Sequence, residues 1–142
     1  MTPSLVFSIV STIVTPMWLL LVFLPNHKIT RWLIDTKFIP ILLAFVYASY
    51  IIPSLLSNGM MDFRDLASVM ELFTDEKKVL AGWTHFLAFD LFLGMWMVEK
   101  NDSLKIHPVL MTPILISTLM FGPLGFICFM SIKIYKEKVI KE

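Results

Sequence analysis

The sequence has one cysteine, Cys128, and three histidines, at positions 27, 85 and 107. A single cysteine excludes an internal disulfide framework and a cysteine-rich metal site. Three dispersed histidines make no metal centre by themselves. Charge is equally scarce. Only 16% of the 142 residues are charged, against about 25% in a soluble domain. Basic and acidic residues nearly cancel, leaving a net charge of +1. That balance disfavours a nucleic-acid partner, which calls for a basic surface.

What is present is apolar. The hydrophobic fraction is 57% and the mean hydropathy +0.78. The length allows one domain, residues 1–142. Four long apolar windows stand out, at 4–24, 38–57, 79–98 and 108–132. A helix needs about 20 residues to cross the hydrocarbon core. Soluble helices of this length would each carry a charged face, and these do not. The expected fold is all-α: a polytopic membrane four-helix bundle filling a single transmembrane domain. The first window lacks the basic leader and small-residue cleavage site of a signal peptide. It reads as a span kinked at Pro16.

The connections differ in character. Residues 25–37 read as a short interfacial turn with Ile29, Trp32 and Leu33 on one side. In the longer connection, Phe63, Leu66, Ala67, Met70 and Phe73 recur at helical spacing. That pattern predicts a short amphipathic surface helix over 62–73. An even number of spans puts both termini on one side. Basic residues then split almost evenly between the two sides, and the positive-inside rule favours cytoplasmic termini only by a narrow margin.

One acid lies within a span. Asp90 sits near the centre of the third window, where an ionised carboxyl costs about 2.5–3.5 kcal/mol on insertion scales. His85 is on the same helix, about 7.5 Å away along the axis and about 140° around it. Such intramembrane groups point to function by default. Hydroxyl stripes on the first helix (Ser8, Ser11, Thr12, Thr15) and second helix (Tyr47, Tyr50, Ser54) converge near Asp90 if they face inward. The Tyr47 and Tyr50 phenols are candidate ligand-binding groups. Trp83, Phe86, Phe89, Phe92 and Trp96 make the third helix aromatic, suited to a flat apolar or polyene substrate, or to ordinary packing. Haem is disfavoured, because His27 and His107 lie outside the spans. A retinal Schiff base is excluded, because no span contains lysine.

The stretch Ala81-Gly82-Trp83-Thr84-His85-Phe86-Leu87-Ala88-Phe89-Asp90-Leu91-Phe92-Leu93-Gly94 and the later Leu119-Met120-Phe121-Gly122-Pro123-Leu124-Gly125 resemble the abscisic-acid-deficient-4-like, or neoxanthin synthase-like, membrane family. The resemblance covers nearly the whole chain. It implies carotenoid chemistry, since plant members are plastid membrane proteins required to form neoxanthin from violaxanthin. It makes His85 and Asp90 the matching polar residues. The implied reaction is an isomerisation in which an epoxide opens to an alcohol while a proton leaves a neighbouring polyene carbon. One acid and one base serve it, without metal or redox cofactor. Asp90 and His85 are the candidate catalytic pair. Tyr47, Tyr50, Trp83, Phe89, Phe92 and Trp96 are the candidate substrate contacts. A non-catalytic carotenoid- or lipid-binding protein would use the same cavity, and an oligomeric proton or small-solute transporter would use Asp90 as a relay. The expected surroundings are a bilayer, with a bacterial inner membrane favoured, an apolar substrate and room for a homo-oligomer.

Overall fold

The computed structural model describes residues 2–59 and 61–141, and they form seven helices with no strand among them. These are α1 (Pro3–Phe23), α2 (Lys28–Thr36), α3 (Phe38–Asn58), α4 (Leu66–Leu72), α5 (Glu76–Leu104), α6 (Pro108–Phe121) and α7 (Pro123–Lys141). Helices α1, α3 and α5 are long and apolar enough to cross a membrane. Large apolar side chains such as Leu19, Phe45, Phe89 and Ile127 point outward, as lipid-facing residues do. The chain is an all-helical membrane protein.

The longest helix is the axis of the fold. Asp75 caps α5, its carboxylate accepting the backbone N–H groups of Lys77 and Lys78 at 2.8 and 3.1 Å. The helix ends at Lys105, which takes a left-handed conformation at φ 49°. Its 29 residues run about 43 Å at 1.5 Å each, so both ends pass the hydrocarbon core. Leu80, Ala81, Thr84, Ala88, Leu91, Met95 and Val98 form its buried stripe.

Helix α1 lies parallel to α5. Phe7 meets Trp83 with ring centroids 5.6 Å apart. Eleven residues further along each helix, Trp18 lies on Gly94, where an added Cβ would stand 2.7 Å from the Trp18 ring. Helix α3 is antiparallel to α5, because Tyr47 meets His85 at 5.6 Å and Lys37 pairs with Glu99 at 2.8 Å. The end holding Pro3, Asn58 and Glu76 is the first end of the bundle. The other, holding Phe23, Phe38 and Leu104, is the second.

The short connections are more ordered than the sequence suggests. Residues 28–36 form a helix of nine residues rather than a turn. His27 caps it, and Thr30 and Ile34 are buried. Across the second end, Arg31 grips Asp102 with both terminal nitrogens at 2.7 Å. Hydrogen bonding to that carboxylate holds the guanidinium pKa above its ordinary value. The surface helix at the first end is present but shorter than 62–73. Asp62 accepts the Arg64 backbone N–H at 3.0 Å and Asp65 caps at Ser68, so the helix starts only at Leu66. It buries none of its own residues.

The fourth window is not one span. Helix α6 has 14 residues, about 21 Å, short of the roughly 30 Å hydrocarbon core. The chain then reverses at Gly122, at φ 26° and ψ −80°. Pro123 disfavours the α conformation in the residue before it and starts α7. The returning arm runs parallel to α5. Trp96 contacts Phe126 and Phe129 of α7 at 6.3 and 5.5 Å. Lys136 donates to the carbonyls of Leu104 and Lys105 at 2.9 Å each. In one continuous helix, Lys136 would lie about 42 Å from Pro108. The arms touch near the tip, where a Cβ on Gly125 would stand 2.7 Å from the Thr118 Cα. Residues 108–141 are therefore a helical hairpin entering from the second end. Residues 3 and 136 lie at opposite ends of the bundle, which overturns the expectation of termini on one side.

Candidate functional site

The hairpin tip meets α5 at its midpoint. A Cβ on Gly122 would collide with the Asp90 carboxyl, whose Cγ would be 3.2 Å away. Glycine is required here both by its positive φ and by this approach. Asp90 is half-buried, and no described residue hydrogen-bonds its carboxyl. Among the described residues, no hydroxyl of the expected faces hydrogen-bonds the Asp90 carboxyl. Ser8 and Thr15 bond carbonyls of their own helix, and Ser11 Oγ is buried without a partner. Thr84 and Thr118 also bond carbonyls one turn back in their own helices.

His85 faces elsewhere. Its ring lies 5.6 Å from Tyr47, 4.7 Å from Phe89 and 6.0 Å from Phe86. Together with Tyr47 it borders a cleft of about 220 Å³ between α3, α4 and α5. Ile51 and Gly82 form part of its walls. Val69, Leu72 and Phe73, from α4 and its end, with Met61 and Phe63, cover it toward the first end. Gly82 lets α4 approach, because the Phe73 ring edge would be 3.9 Å from a Cβ placed there. Lys78 supplies a cation at the rim.

The candidate residues therefore divide among several places. His85, Tyr47 and Phe89 come together, and Phe92 continues the same outward face of α5 toward the hairpin's own depth. Phe89 and Phe92 are 62% and 46% exposed, so this face is open to lipid rather than sealed. Tyr50 lies one turn from Tyr47 and borders a separate groove with Ser54, Asp75 and Lys78. Trp83 packs on Phe7 of α1, and Trp96 on Phe126 and Phe129 of α7. Asp90 and His85 are not assembled around one point. The 140° between them places one against the hairpin and the other against α3 and α4.

Sequence reasoning saw the amphipathic spacing of residues 63–73 but not that Val69, Leu72 and Phe73 close a cleft over His85. Spacing shows that a helix has an apolar side, not what that side covers.

The family profile ABA DEFICIENT 4-like matches residues 5–129. No curated protein and no solved structure matches the chain. The matched segment takes in nearly all of α1, all of α2 to α6, the His85 cleft, the Asp90 contact, the reversal at Gly122 and the start of α7. The chain belongs to the ABA DEFICIENT 4-like family.

Proposed function

We propose that the chain is a membrane isomerase of a carotenoid-like epoxide, with the His85–Tyr47 cleft as its reaction site. The observation that carries this reading is the pairing of an imidazole and a phenol at the border of an apolar cleft whose outer edge is open to lipid. The family supplies the carotenoid context. The cleft volume is below the roughly 300–1,000 Å³ of ordinary small-molecule pockets. It suits one ring end of a long substrate. The remaining polyene would lie along Phe89 and Phe92, in the bilayer.

The chemistry needs one proton moved each way. His85 takes a proton from the polyene carbon beside the epoxide. The electron pair forms the new double bond as the carbon–oxygen bond breaks. Tyr47 donates to the leaving oxygen, giving the alcohol. The proton on His85 then returns to the Tyr47 phenolate, so atoms and charge balance with no electron transferred. General acid–base groups contribute about 10²–10⁴-fold each. Asp90 stands outside this pair, against the hairpin tip at Gly122.

The test is pigment profiling of membranes containing wild-type, His85→Gln or Asp90→Asn protein, supplied with epoxy-carotenoids. A new isomer with the wild type, reduced at least about 100-fold in His85→Gln and retained in Asp90→Asn, is the expected result. Undiminished conversion by a well-expressed His85→Gln protein defeats the reading. Copurified pigment without conversion by the wild type would make the cleft a binding site instead.

A further inference from the structure

A second cavity, of about 340 Å³, lies at the other end of the bundle between α1, α2, α5 and α6. Its volume falls in the lower part of the range for ligand pockets. The floor is apolar and buried: Leu21, Val98, Met111 and Leu115 are each no more than 6% exposed. The rim is polar and stands where α5 passes from its apolar window into Glu99–Asp102. A greasy floor under a polar rim at the membrane boundary is the shape of an amphiphile site.

The charges at the rim specify the head. Arg31 is spent on Asp102, and Asn26 accepts from the same guanidinium. Asn101 is committed to both backbone groups of Ile106. Lys105 forms no ion pair among the described residues and lines the cavity. It is held there by its left-handed turn, whose carbonyl Lys136 clamps. With the Arg31–Asp102 pair internally neutral, the rim keeps one uncompensated cation. Lys37 and Lys133 at this end are paired with Glu99 and Glu137, but Lys28, Lys100, Lys136 and Lys138 share it without an ion pair among the described residues and reinforce the charge. Such a basic end attracts acidic lipid.

We propose that this cavity binds an acidic amphiphile, with a phosphate or carboxylate head against Lys105 and an apolar tail over Leu21, Met111 and Leu115. The site is independent of the His85 cleft and holds whether or not the cleft is catalytic.

The experiment uses the purified full chain in phosphatidylcholine nanodiscs. Retention of phosphatidylglycerol and of oleate is measured against phosphatidylcholine, and inorganic phosphate is the tail-free competitor. The wild type is expected to prefer at least one acidic lipid tenfold or more, with phosphate failing to displace it. Lys105→Asn removes the cation while keeping a residue that tolerates the left-handed conformation. It should reduce the preference below threefold. Thr112→Phe, which fills the cavity from its α6 wall, should abolish retention at an unchanged melting temperature. If that variant is destabilised, Val22→Phe from the α1 wall replaces it. No preference in the wild type, or a preference surviving both kinds of variant, overturns the proposal. Displacement by phosphate alone does so too, because it would reduce the site to a simple anion contact.

Discussion

Replacing Gly122 by alanine tests the hairpin directly. Two costs are expected. The first is conformational, because the φ of 26° lies on the side that favours glycine, at about 1–2 kcal/mol for a residue with a Cβ. The second is steric, because the new methyl would overlap the Asp90 carboxyl. Overpacking of this kind costs about 1–3 kcal/mol. Gly122→Ala should therefore lose roughly 2–5 kcal/mol in total. The assay is reversible unfolding in mixed micelles, followed by tryptophan fluorescence during detergent titration. A double-mutant cycle with Asp90→Ala separates the two costs. Removing the carboxyl should return the steric part and leave the conformational part. Asp90→Ala alone should be neutral or stabilising, since it deletes a polar group with no described partner from an apolar setting. A Gly122→Ala cost below about 0.5 kcal/mol, or one indifferent to residue 90, would refute the placement of the tip against α5.

Two further outcomes follow from the fold. In a Cys128→Ser background, cysteines at positions 2 and 138 should label from opposite faces of the membrane, and labelling from one face would reject the hairpin. Lys28, Arg31, Lys37, Lys100, Lys105, Lys133, Lys136 and Lys138 gather at the second end, against Arg64, Lys77 and Lys78 at the first. Position 138 should therefore be the protected one in intact cells. At the first end, backbone N–H groups of Lys78 and Lys77 hold the Asp75 carboxyl below its ordinary value. A depressed carboxyl stabilises the folded state above its unfolded pKa, and the contribution is lost as pH falls through the folded value. Amide exchange at Lys77 and Lys78, corrected for intrinsic rate, should accelerate as pH drops below about 3.9. Asp75→Ala should remove that pH dependence, and a pH-independent wild type would count against the cap.

Much of this protein is set locally. Apolar length makes α1, α3 and α5 membrane helices wherever they pack, because a bilayer leaves a long apolar segment few other states. The amphipathic spacing of residues 63–73 and the family resemblance on residues 81–94 and 119–125 are likewise properties of neighbours in sequence. Even the 140° between His85 and Asp90 is helix arithmetic.

The path of the chain is another matter. A hydropathy window averages over its residues and carries no direction, so the 25-residue stretch at 108–132 reads as one crossing. Whether they cross or turn back depends on the backbone at Gly122, the proline after it and the room that Gly125 leaves for Thr118. Those contacts decide which end Lys133, Lys136 and Lys138 join, and hence which way the molecule faces. Packing also decides that His85 meets Tyr47 while Asp90 meets Gly122, because one helix shows different sides to different neighbours. The cavity beside Lys105 is drawn from α1, α2, α5 and α6 together, and no periodicity within any one of them contains it.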